Sequence, residues 1–135
     1  MELADTSAWT NRGKDADVRD DFDARVLAGE IATCGMVVME LLWTARSRRD
    51  FGELRADLEA LPQLPIEPAA WARATDVWEE LLGRGRHREV KPAGLLIAAT
   101  AELGGIGLCH YDADFDVISN VTGQRVRPIA PIGSL

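Results

Sequence analysis

Short apolar runs, too brief for helices and each breaking off at a carboxylate, a glycine or a proline, alternate along this chain with longer stretches whose apolar positions recur at helical spacing. Leu3-Ala4 stops at Asp5, and Glu30-Ile31-Ala32-Thr33-Cys34 closes at Gly35. Ile106-Gly107-Leu108-Cys109-His110 runs directly into Asp112 and Asp114, and Arg125-Val126-Arg127-Pro128-Ile129 reads as a last strand. Strand, helix, strand, several helices, strand, helix, strand is the order of an α/β domain with a mainly parallel central sheet and helices on both faces. In such sheets ligands gather at the carboxyl ends of the strands, so acids at those ends face a crevice rather than the core.

The chain of 135 residues is expected to form a single domain over residues 1–135, large enough to bury a core without disulfides. Its formal charge of −7 argues against a protein that coats nucleic acid by general electrostatics, although a phosphate gripped through bound cations needs an acidic site. Cys34 and Cys109 each lie in or beside a short apolar run and are expected to be reduced core thiols. A cytoplasmic setting fits them. The longest apolar stretch, from Met36 to Trp43, is interrupted by Glu40 and too short to span a bilayer, so no membrane role is expected.

The helical segments carry most of the remaining signal. Asp15 to Glu30 holds Val18, Phe22, Val26 and Leu27 at helical spacing, and its clustered aspartates read as a solvated face near a helix N-terminus. Met36 to Ala45 is apolar on nearly every side, which predicts a helix buried all round. Glu40 inside it is then a costly charge, answered by a salt bridge to Arg46 or Arg49 or by a bound cation; the second is favoured because Glu40 lies within the run and not at its edge.

Phe51, Leu54, Leu58 and Leu61 stripe the next helix, which ends before Pro62, and Leu64-Pro65-Ile66 reads as a short edge strand. Pro68 opens a helix whose apolar face includes Trp71, Ala74, Val77, Trp78, Leu81 and Leu82, with both tryptophans expected in the core.

Gly83 to Lys91 is the one basic passage. Arg84, Arg86, Arg88 and Lys91 there are candidate contacts for a phosphate, set against the plainer reading of a solvated loop. A helix then runs from Pro92 to Leu103, stopped by Gly104-Gly105. Gly94 is out of place in its first turn, where glycine costs up to about 1 kcal/mol against alanine and an acid would suit the helix dipole.

Asp5, Glu40, Asp112 and Asp114 thus come from separate elements, three of them at inferred strand ends. Repelling carboxylates converge only around something positive, and an oxygen-only donor set suits Mg2+ or Mn2+. His87 and His110 are isolated, a loop residue and a strand-end packing residue. No phosphate-binding glycine loop and no nucleophile elbow is present.

Asp5-Thr6-Ser7-Ala8-Trp9, Glu40 within Val37-Val38-Met39-Glu40-Leu41-Leu42, Leu95-Leu96-Ile97-Ala98-Ala99-Thr100-Ala101 and His110-Tyr111-Asp112-Ala113-Asp114-Phe115 resemble, in this order and over nearly the whole chain, a VapC-type toxin of the PIN-domain ribonuclease family. The resemblance implies a metal-dependent endoribonuclease acting on tRNA or rRNA, using Mg2+ or Mn2+ and neutralised by a VapB-type antitoxin. It implies catalytic and metal-holding roles for Asp5, Glu40, Asp112 and Asp114, hydroxyl donors in Thr6 and Ser7 that would orient Asp5, and RNA as the source of any phosphate met by Arg84, Arg86, Arg88 and Lys91. It further implies a homodimer or a toxin–antitoxin hetero-oligomer, with the antitoxin docked along the Phe51-Leu54-Leu58 stripe and the apolar helix before it. The chain departs from the resemblance at Gly94, where the family carries an aspartate. Activity is therefore expected to be impaired, and the alternative is a catalytically inactive scaffold that binds antitoxin or RNA without cutting.

Overall fold

The computed structural model describes residues 1–135. Four strands, β1 (Glu2–Ala4), β2 (Ile31–Ala32), β3 (Gly107–His110) and β4 (Val126–Pro128), form one sheet in the order β2-β1-β3-β4, and every pairing in it is parallel. The expected α/β architecture holds, with shorter strands than the apolar runs suggested. Seven helices connect and cover them: α1 (Thr6–Asn11), α2 (Ala16–Leu27), α3 (Gly35–Leu42), α4 (Arg48–Glu59), α5 (Pro68–Gly83), α6 (Pro92–Leu103) and α7 (Asp114–Thr122).

The alternation of side chains along the strands divides the interior in two. Leu3, Ala32 and Leu108 point into the larger core, which α3 to α7 cover. Their neighbours Ala4, Ile31 and Cys109 point into a smaller core closed by Ala8 of α1 and Phe22 of α2. Both faces of the sheet are thereby buried, as a parallel sheet requires. Cys34 and Cys109 are free and buried, and burial pushes the Cys109 thiol up to about 12, so it stays protonated and inert.

The central buried helix is α6, not α3. Every residue from Leu95 to Ala101 is buried, and the small side chains Ala98, Ala99 and Ala101 let neighbours approach closely. In α3 only Val37 and Leu41 are buried; Met39 is 68% exposed, and Trp43 just beyond its end is 89% exposed. Composition alone could not rank the two helices, since both are apolar and only the chain path decides which is covered from all sides.

The tryptophans of α5 also depart from expectation. Trp71 and Trp78 are 60% and 36% exposed, while Ala70, Ala74, Val77 and Leu81 form the buried stripe. An alanine-rich stripe brings α5 close to α6, and the tryptophans lie off that seam. The expected strand at Leu64-Pro65-Ile66 is instead a single bridge, Thr33 with Gln63; the Thr33 N–H donates to the Pro62 carbonyl and the Leu64 N–H to the Thr33 carbonyl. In α2 the clustered acids lie on a solvated face as expected, Asp15 capping the Val18 N–H while Asp20, Asp21 and Asp23 pair with Arg19, Arg25 and Arg12.

At the amino ends of the strands, Glu2 accepts two hydrogen bonds from Arg127, at 2.8 and 3.0 Å, which tie β1 to β4 across β3. Burial alone would raise the Glu2 carboxyl, but the Arg127 bonds and charge outweigh it and hold it below the usual range. A lowered carboxyl contributes stability that is present above its unfolded value and lost as pH falls through its folded value. Glu2→Gln is therefore expected to cost no more than about 1 kcal/mol at neutral pH, because the pair is part-exposed. It is also expected to flatten the loss of stability below the ordinary carboxylate range, as read by urea unfolding against pH.

Candidate functional site: an acidic crevice at the strand ends

Strand β1 connects to β2 on one side of it and, by way of the helices, the chain returns to β3 on its other side. The carboxyl ends of β1 and β3 are thus a topological switch point, the place where an α/β sheet opens a crevice. The Asp5 N–H donates to the Cys109 carbonyl at 2.9 Å, so the two strand ends are held side by side. A crevice of about 240 Å³ opens there, and Asp5, Glu40, Asp112 and Asp114 all line it together with Thr6, Ser7, Lys91 and Gly94. The four acids named from the sequence are gathered by four elements: the end of β1, the middle of α3, the turn after β3 and the start of α7.

Asp5 is only 6% exposed. Its Oδ2 accepts from the Ser7 N–H at 2.9 Å and from the Ser7 hydroxyl at 2.5 Å, so it caps α1 while lining the crevice. The capping and site readings of this residue coexist. The Ser7 Oγ also accepts the Tyr111 N–H at 2.9 Å, joining β1's acid to the turn that carries Asp112. Thr6 serves a different acid from the one expected: its hydroxyl donates to Glu40 Oε1 at 2.8 Å. The two hydroxyls thus divide their work, Ser7 holding Asp5 and Thr6 holding Glu40.

Glu40 is half-buried and pairs with no arginine; the Arg46 N–H and the Arg49 side chain bond Asp50 and Glu53 instead. The expectation of a charge buried inside an apolar helix was wrong in its premise, because α3 keeps one flank open, and that open flank is the crevice. Asp112 Oδ1 accepts the Asp114 N–H at 2.9 Å, and the Asp112 carbonyl accepts the Phe115 N–H, so Asp112 stabilises the first turn of α7 although the cap position itself is Ala113.

The electrostatics are those of crowded carboxylates. Burial raises the Asp5 carboxyl, the Ser7 hydrogen bonds oppose that, and the Glu40 charge adds to it. Burial raises Asp114 as well, reinforced by the charge of Asp112, with Lys91 opposing. No three acidic, histidine or cysteine side chains stand close enough together to hold a metal ion as they are.

Gly94 occupies the remaining side. A Cβ built there meets only Phe115 Cζ, at 3.8 Å, an ordinary contact. Of the basic passage, Arg84 is bound to Glu80 and Arg86 to Glu89, Arg88 forms no ion pair, and Lys91 alone lines the crevice. A second cleft of about 360 Å³ between α1, α3 and α4 is lined by Trp9, Leu41, Leu54, Leu58 and Leu61, with Phe51 beyond it 40% exposed.

A sheet of this order with acids at its switch point places the protein among α/β domains that carry a polar site at their strand ends. The chain belongs to the PIN domain family, which matches residues 3–121, and to its VapC-type branch. It is 37% identical over 133 residues to ribonuclease VapC18 of Mycobacterium tuberculosis, covering 97% of this chain and 96% of that one. It is 38% identical over 120 residues to ribonuclease VapC21 of the same species, covering 87% and 86%. The fold superposes on DNA-bound VapBC from Salmonella typhimurium with a TM-score of 0.75 at 20% identity, over 96% of this chain and all of that one.

Proposed function

We propose that the protein is a ribonuclease toxin of a VapBC-type toxin–antitoxin pair, with the acidic crevice as its cleavage site. The observation that carries the reading is the convergence of Asp5, Glu40, Asp112 and Asp114 on one crevice, in a chain matching ribonuclease VapC18 over nearly its full length. Burial raises the Asp5 and Asp114 carboxyls, and the charges of Glu40 and Asp112 add to it, a state that a cation relieves; the oxygen-only chemistry of the site fits Mg2+ or Mn2+. Asp5, Glu40 and Asp112 would hold such an ion after drawing closer together than they stand here, with Asp114 beside it. When bound it supplies an acidified water and neutralises charge developing on a phosphate.

The protein's own groups prepare that chemistry. Ser7 and Thr6 aim Asp5 and Glu40, each by donating a hydroxyl hydrogen bond to a carboxylate oxygen. Lys91, the cation at the crevice rim, is the group of the basic passage best placed to meet an RNA phosphate; Arg84 and Arg86 are already spent on glutamates. Exposed Met39 and Trp43 and the cleft beside Leu54 and Leu58 form the surface on which a VapB-type antitoxin would dock. Gly94 leaves one side of the crevice without an anion, which favours a second reading, a scaffold that binds its partners but cuts slowly or not at all.

The test is a cleavage assay on tRNA and ribosomal RNA fragments with the chain as written, in Mn2+ and in chelator. Manganese-dependent cutting that a VapB-type protein suppresses is the expected result. Antitoxin binding with no cutting at any manganese concentration would favour the scaffold, and cutting that survives chelation would remove the metal from the site.

A further inference from the structure

Behind the crevice, where a buried strand residue is ordinarily aliphatic, β3 ends on an imidazole. His110 is 0% exposed, and its ring centroid lies 5.0 Å from that of Phe115, which itself lines the crevice. Nδ1 accepts the Asp112 N–H at 3.1 Å. A backbone N–H can only donate, so Nδ1 is the unprotonated nitrogen and the ring proton of the neutral form sits on Nε2. Nε2 is buried without a partner. An unmet buried donor is costly, so packing alone would be better served by leucine.

What offsets the cost is the turn that His110 holds. The N–H groups of Tyr111, Asp112 and Asp114 each end on a side-chain acceptor: Ser7 Oγ at 2.9 Å, His110 Nδ1 at 3.1 Å and Asp112 Oδ1 at 2.9 Å. Only the middle bond comes from the core, and it falls on the residue whose carboxylate in turn holds Asp114. The His110 carbonyl accepts the Ile129 N–H at 2.8 Å, so the residue is anchored on its backbone side as well.

We propose that His110 is a positioning residue of the crevice: its neutral imidazole, locked in the core, accepts the Asp112 N–H and so sets the direction in which Asp112 and Asp114 are presented. The consequence for metal binding rests on the nuclease reading above; the orientation of Asp112 does not.

Two substitutions separate packing from acceptance. His110→Leu keeps the bulk and loses the acceptor, whereas His110→Asn loses bulk but offers Oδ1 near the place of Nδ1. The readouts are hydrogen exchange of the Asp112 amide and Mn2+ affinity by calorimetry, with thermal melting alongside. The leucine variant is expected to lose Asp112 amide protection and to bind Mn2+ ten- to a hundred-fold more weakly while melting near the native temperature; the asparagine variant melts lower but keeps protection and affinity within about threefold. A leucine variant with native protection and affinity, or an asparagine variant no better than it, overturns the proposal. Should the native chain bind no Mn2+, the nuclease reading falls, and amide protection decides alone: loss with leucine and retention with asparagine uphold the role of His110, and no difference between them overturns it.

Discussion

Gly94→Asp is expected to raise both Mn2+ affinity and RNA cleavage by at least about 100-fold, the largest gain any single substitution should give this chain. The position lines the crevice together with Asp5 and Glu40, and the space is already there, with Phe115 Cζ the only atom within ordinary contact of an added Cβ. An aspartate in the first turn of α6 gains on glycine in helix propensity and in its interaction with the helix dipole, each worth under about 1 kcal/mol. Repulsion from the neighbouring acids works the other way in the metal-free protein. Stability without metal should therefore change by no more than about 1 kcal/mol, while the rise in melting temperature on adding Mn2+ should be larger in the variant. Single-turnover cleavage of a fluorescent RNA, with calorimetric Mn2+ titration, measures both. Equal cleavage by the two forms would take Gly94 out of the account of the site.

Asp5→Asn is the converse case and should cost more than about 100-fold in cleavage, measured in the Gly94→Asp background where the starting rate is high. Asparagine is the informative replacement because its amide oxygen can still cap α1 by accepting from the Ser7 N–H, which alanine cannot. Loss of activity then reports the lost charge and not a frayed helix.

The same substitution has a pH signature in chelator. Burial above all, with Glu40 adding, holds the Asp5 carboxyl above its ordinary value against the opposing Ser7 bonds. A carboxyl raised in the fold binds its proton more tightly there than in the unfolded chain. Its contribution to stability is greatest below the ordinary aspartate range and is lost as pH rises through the folded value. Native protein without metal should lose stability over that rise and the asparagine variant should lose less, as followed by urea unfolding. Identical pH profiles for the two would mean that Asp5 is not strained by its surroundings.

Some elements were legible because their signals are local. The bounds of α6 agree with the sequence reading at both ends, since Pro92 opens the helix and Gly104-Gly105, with Gly105 at φ +71°, closes it. The strand-end acids were legible too, because a short apolar run that stops at a carboxylate leaves few other places for that carboxylate to go. Errors came wherever the answer depended on which side chains meet once the chain is folded, whether near or far in sequence. Trp71 and Trp78 recur at helical spacing and so looked like core, yet the seam with α6 selected the alanines beside them. Arg86 looked free to meet a phosphate and is held by Glu89 at 2.7 Å. His110 looked like filler at the end of a strand, and nothing in its immediate sequence signals that Nδ1 would meet the Asp112 amide.

By itself the sequence determined the alternation of short strands and helices, the parallel sheet that this alternation requires, and the placing of Asp5, Asp112 and Asp114 just past strand ends. Hydrophobic period, proline and glycine act within a few residues and need no partner to be read. Only the tertiary structure decided that α6 and not α3 is the enclosed helix, that Thr6 serves Glu40 while Ser7 serves Asp5, and that an open flank of α3 brings Glu40 to the other acids. Enclosure of α6 turns on packing, while the meeting of Thr6 with Glu40 and of Ser7 with the Tyr111 amide joins residues 34 and 104 positions apart, contacts that exist only once the chain has closed on itself.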